Sequence, residues 1–296
     1  MSLENFQKIY RTNVIDVVNY LRDKTGYFLV SDNSEIRSEI KITLFYKGMC
    51  QVSWISEEII KGKRKPLSLK EFDQEKKILN TLRNFRDTNI NPCIEPLNKL
   101  IECLEKSIDE PIVCRPFNND SDQGYEEPGI IYDVLGVYIY NEFDEKDKKN
   151  YFSSEIEIYC DKIEQISPSF RVSEKLFLAV LIHELAHAFH HIGIDRKDKI
   201  CFAFQQMDRS VKEGYANYCT HYFRKNNLKF NWSDYNAIFK KHTCQSGPYK
   251  KYLDWISSDY SFECLGSANT DFRNDHLLRS VLEFDKRLMD YKSKGH

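Results

Sequence analysis

The chain has 296 residues, enough for one large domain or two modest ones, with a real core in either case. At 41% hydrophobic and 30% charged residues it does not have the composition of a disordered chain. A net charge of −2 excludes the strongly basic balance of a nucleic-acid-binding or anionic-membrane-binding protein.

Residues 3–21 carry Phe6, Ile9, Tyr10, Val14, Val17, Val18 and Leu21 at helical spacing and predict a helix. Glu4, Lys8, Arg11 and Asp16 interrupt any apolar run there, so the segment does not read as a signal peptide. Residues 40–46 and 50–55 read as strands joined at Lys47-Gly48, a hairpin turn. The basic stretch 61–65, closed by Pro66, is too short for a nucleic-acid site and reads as an exposed loop. Residues 68–85 and 96–108 read as amphipathic helices. The polar, turn-forming stretch 118–124 is the predicted linker. It divides an N-terminal α+β accessory or recognition region, 1–120, from a second domain, 121–296.

Residues 130–140 are apolar and β-prone, and 155–160 alternate, with Ile156, Ile158 and Cys160 on one face. The charged stretch 141–150 reads as the long hairpin loop between them. Ser173 can cap a helix that runs to about His191, where Gly193 can stop it. A second helix is expected over about 208–225, with others near 249–257 and 275–291. The predicted fold class is α+β, strands first and helices after. The longest apolar run, 176–182, is far too short to span a bilayer. None of the nine cysteines sits in a CxxC pair. With no export signal, reduced thiols and a cytoplasmic setting are expected.

The chemistry concentrates in His183-Glu184-Leu185-Ala186-His187. Histidines four apart on a helix share a face, and their nitrogens can reach one Zn²⁺. Glu184 follows the first histidine, so its carboxylate lies beside the metal and can act as base on an activated water. The flanks Val180, Leu181, Ile182, Ala188 and Phe189 are apolar, and burying His and Glu among them is costly without a partner. A catalytic zinc keeps three protein ligands, and Glu213, early on the next helix, is the candidate third. Asn217, one turn further, can accept a hydrogen bond from a zinc histidine. Asp208 reads as the cap of that second helix, and Ser210 with Glu213 has the spacing of a capping box. Oxyanion candidates are His221 and Tyr215, with Tyr222 and Tyr249 behind them.

The segment VLIHELAHAF followed by EGYAN resembles the gluzincin branch of the zincin metallopeptidases, and its ExxAN spacing is similar to intracellular ImmA/IrrE-type peptidases. The resemblance covers about residues 130–225. It implies a zincin-like catalytic domain in which an antiparallel-edged sheet is followed by an active-site helix and a Glu-bearing helix. It also implies an edge strand that binds substrate as an added strand, here 155–160. The expected function is zinc-dependent peptide hydrolysis on a peptide or protein substrate, without nucleic-acid or membrane partners. The alternative is a catalytically silent zincin-fold binding or regulatory module.

Overall fold

The computed structural model describes residues 1–31, 36–56, 130–132, 135–140, 151–226, 232, 247–274 and 280–294. The helices expected at 68–85 and 96–108, the linker at 118–124 and the loops at 61–65 and 141–150 lie outside the described residues. Helix α1 (Leu3–Thr25) is capped by Ser2, whose hydroxyl accepts from the Asn5 amide, and Gly26 closes it at φ 70°. Strands β1 (Arg37–Tyr46) and β2 (Met49–Ile55) pair antiparallel from Tyr46↔Met49. The two residues between them, Lys47 (φ 49°) and Gly48 (φ 79°), both have positive φ, the tight turn that suits strand twist.

The apolar stretch 130–140 is not one strand. It folds back into β3 (Ile130–Tyr132) and β4 (Gly136–Tyr140), with Ile130↔Ile139 and Tyr132↔Val137 in register.

Strand β5 (Tyr151–Tyr159) corrects the expectation of a substrate-binding edge at 155–160. The sheet order is β2-β1-β5-β4-β3, so β5 is central, parallel to β1 and antiparallel to β4. Both of its ladders are taken, and among the described residues the edges are β2 and β3. Alternation in sequence reports a strand's two faces and says nothing of its neighbours. Cys160 belongs to the next helix, α2 (Cys160–Ile166).

Helix α3 (Phe170–Ile192) starts one turn before the expected Ser173 cap. Ser169 is at its N-cap, and Ser173 lies inside with its hydroxyl bonded to the Ser169 carbonyl. Residues 175–192 are all buried, as in a helix covered on every side. Gly193 does end it, in extended backbone rather than a left-handed turn. A Cβ there would stand 2.3 Å from the Phe189 carbonyl oxygen. Helix α4 (Arg209–Asn226) is capped by Asp208, whose Oδ1 accepts from the Ser210 amide at 2.7 Å. Helices α5 (Lys251–Ser257), α6 (Phe262–Asn274) and α7 (Val281–Ser293) follow.

Register places Ile40, Ile42 and Leu44 of β1, Ile156 and Ile158 of β5, and Gly136, Tyr138 and Tyr140 of β4 on one sheet face. That face packs on α3, and α1 and α4 pack on other sides of the same helix. Strands from both sides of residues 118–124 therefore share one sheet and one hydrophobic core. All five cysteines among the described residues are free thiols. No helix among them is long and apolar enough to cross a membrane.

Candidate metal centre

Helix α3 lies between β4 and α4 and carries polar side chains on both flanks. Toward α4, His183 and His187 meet Glu213. His183 Nε2 is 3.2 Å from Glu213 Oε2, His187 Nε2 is 3.5 Å from the same oxygen, and the two Nε2 atoms are 3.1 Å apart. Three donors 2.0–2.1 Å from one centre at tetrahedral angles stand about 3.4 Å apart. The observed separations fit that spacing, and the buried group His183, His187 and Glu213 could hold a metal ion.

Electrostatics favour the ligand forms. Burial pushes the His187 pKa down to about 4, so its imidazole is neutral at pH 7 and keeps a lone pair. Burial opposes ionisation of Glu213, yet His187 and His183 beside it hold its pKa below the ordinary carboxylate value. Behind His183, Nδ1 is 3.1 Å from Asn217 Oδ1, and Asn217 Nδ2 donates to the Tyr249 carbonyl at 3.1 Å. Arg209, one turn before Glu213 on α4, brings Nε to 3.9 Å from Glu213 Oε1 and donates to the Tyr249 hydroxyl at 3.1 Å.

Toward the sheet, α3 residues follow β4 in step. Glu184 and Val180 face Gly136, where a Cβ would stand 2.8 Å from both Glu184 Oε1 and Val180 Cγ1. Tyr138 stacks on His187 with ring centroids 6.0 Å apart, and its hydroxyl is 2.9 Å from His191 Nδ1. Tyr140 meets His191 edge-on at 5.2 Å. Glu184 is buried, on the flank of α3 that faces the sheet rather than within the three-residue cluster.

Compared with family models, with curated proteins and with solved structures, the chain matches none. The reading of the site therefore rests on its own geometry.

The structure brings together His183, His187, Glu213 and Asn217. Of the oxyanion candidates, Tyr249 lies beside this group, against Asn217 and Arg209, and the other three pack in other surroundings. Tyr215 is buried with its ring 4.7 Å from that of His190, and its hydroxyl faces Asn269 of α6. His221 packs beside Tyr222 and Tyr252. Tyr222 itself packs on Tyr218 and Phe262. The sequence reading missed Gly136, Tyr138 and Arg209. A lone glycine in a strand pattern signals close backbone approach, and Arg209 precedes Glu213 by one helical turn, so two of the three left a trace. Tyr138 left none, because only tertiary packing brings β4 to α3.

Proposed function

We propose that this chain is a zinc-dependent hydrolase of peptide bonds, with His183, His187 and Glu213 as the metal ligands and Glu184 as the general base. The observation that carries the reading is the 3.1–3.5 Å spacing of three ligand atoms around one point, with a buried carboxylate on the adjoining flank of the same helix. Two imidazoles and one carboxylate form a catalytic zinc donor set that leaves a coordination position open. Zinc, when bound, supplies Lewis acidity that acidifies water and polarises a carbonyl. With a metal held by His183, His187 and Glu213, Glu184, held against Gly136, would be the group that accepts a proton from the attacking water and returns it to the leaving amine. Asn217 holds the His183 ring, and β4 closes the sheet side of the site to solvent. The peptide bond as substrate rests on the likeness of VLIHELAHAF and EGYAN to gluzincin motifs.

The test is Glu184→Gln. It removes the base and no ligand, so the variant should keep about one zinc per chain and lose turnover of fluorogenic peptide substrates. Turnover that survives the change overturns the mechanism. Zinc retained by a wild-type chain that cleaves no peptide library would favour a silent binding module.

A further inference from the structure

Tyr249 lies on the 3-10 turn Gly247–Lys250 that leads into α5. Its backbone carbonyl accepts from Asn217 Nδ2 at 3.1 Å. A primary amide has one donor end and one acceptor end. With Nδ2 committed to a carbonyl, Asn217 can offer His183 only Oδ1, and it does so at 3.1 Å from Nδ1. The hydrogen bond therefore needs the proton on Nδ1. A neutral imidazole has one N–H, so with the proton on Nδ1 the other nitrogen, Nε2, which faces Glu213 and His187, is the one free to bind a metal. The reverse amide orientation would set Oδ1 against the Tyr249 oxygen, two acceptors in contact, and would turn a donor toward Nδ1.

We propose that the Tyr249 backbone carbonyl is the positioning group that selects the His183 tautomer through Asn217, and that the 247–257 segment thereby sets the affinity of the site for a divalent cation. The inference rests on the metal site proposed above. The residue is fastened at both ends. Arg209 donates to its hydroxyl and lies over its ring, 5.4 Å from the centroid. Tyr249 is thus tied to His183 through Asn217 and to Glu213 through Arg209. The segment as a whole docks on α4 at Gly214, where a Cβ would stand 2.8 Å from Trp255 Cη2 and 3.2 Å from Lys251 Cβ. Only glycine allows that approach. From the other side, Trp255 Nε1 donates to Asp285 at 3.0 Å and Lys251 pairs with Asp285 at 2.6 Å, which anchors α5 to α7.

Gly214→Ala wedges the segment off α4 without touching a ligand or Asn217. Two readouts test it on the full chain: zinc affinity by chelator competition, and, by ¹⁵N NMR of the zinc-loaded protein, which ring nitrogen of His183 keeps its proton. In the wild type the proton should sit on Nδ1. Gly214→Ala should weaken zinc binding about 10–100-fold, the usual cost of disturbing a group behind a metal ligand. Gly214→Ala/Trp255→Phe, which removes the clashing ring atoms, should recover the affinity. Asn217→Ala removes the link between Tyr249 and His183, so what Tyr249 does no longer reaches the ring. In that background Gly214→Ala should change zinc affinity by less than about twofold, the limit of ordinary additivity. An equal loss in both backgrounds overturns the proposal, because the wedge would then act by general loosening. A wild-type proton on Nε2 overturns it as well, even where Gly214→Ala fails to fold. A wild-type chain that binds no zinc refutes the metal reading, and this inference falls with it.

Discussion

Gly136 shows how tightly a single residue constrains the site. It opens β4 on the face that meets α3, opposite Glu184 and Val180. An added methyl group would meet Glu184 Oε1 at 2.8 Å and Glu184 Cγ at 3.0 Å, closer than real Cβ contacts. Something must move, and the longer Glu184 side chain is freer to do so than strand backbone paired with β5 at Ile158. A displacement of about 1 Å costs a catalytic group roughly a hundredfold in rate. On the proposed function, Gly136→Ala should therefore lower peptide turnover by about that factor while zinc content stays unchanged. Overpacking should also cost stability, about 1–3 kcal/mol. Val180→Ala in the same chain should recover much of the stability and little of the turnover, since it relieves the Val180 contact alone. Steady-state kinetics, metal analysis and urea denaturation on the three variants separate these effects. Full turnover in Gly136→Ala would show that the strand does not position the carboxylate.

At the scale of the element, α3 is the frame of the site, and its C-terminus is held by a residue from far along the chain. Arg273 of α6 donates to the Gly193 carbonyl, reaches the His191 carbonyl at 3.5 Å and lies over the Tyr27 ring, 3.9 Å from its centroid. A cation there meets the negative end of the helix dipole and satisfies carbonyls that have no helical partner. Arg273→Leu would leave a buried carbonyl without its donor and remove a desolvated cation–π contact. The expected loss is about 3 kcal/mol by urea denaturation, from about 1–3 for the unsatisfied group and up to about 2 for the ring contact. A loss below about 1 kcal/mol would mean that the helix end is held by other contacts.

The helices with dense periodic patterns, α1, α3 and α4, were legible from the sequence, as were the Lys47-Gly48 hairpin and the Asp208 cap. So was the meeting of His183, His187 and Glu213, because helical spacing and the need for a third ligand are local arguments. The reversal inside 130–140 and the central place of β5 were not, since apolar runs report burial and not pairing. Helix α6 was passed over although Cys264, Leu265, Ala268 and Phe272 have helical spacing. Ser261 and Gly266 are weak helix formers, and burial against α1 and α7 outweighs that propensity.

At the scale of the molecule, the row of histidines makes the fold itself sensitive to acid. His190 and His191 sit in a fully buried region that also holds Arg273 and Lys212. Burial pushes the His191 pKa down to about 3, and Arg273 and Lys212 add to the shift. Burial lowers that of His190 as well, with Arg273 the next contributor. In the unfolded chain both titrate near the ordinary histidine value of about 6.5. Below that pH the unfolded state takes up protons that the folded state refuses, so stability is full above about pH 6.5 and falls as the pH drops. Each histidine contributes a slope of about 1.4 kcal/mol per pH unit, continuing for His191 to about pH 3. His187 adds to the slope in metal-free protein down to about pH 4, and Glu213 joins below the ordinary carboxylate range. Urea denaturation of chelator-treated protein at pH 7.5, 6 and 5 should show a steep loss across that window. His191→Gln should make it shallower by about 1.4 kcal/mol per pH unit. Stability that stays flat from pH 7.5 to 5 would mean that these histidines are not buried as neutral groups.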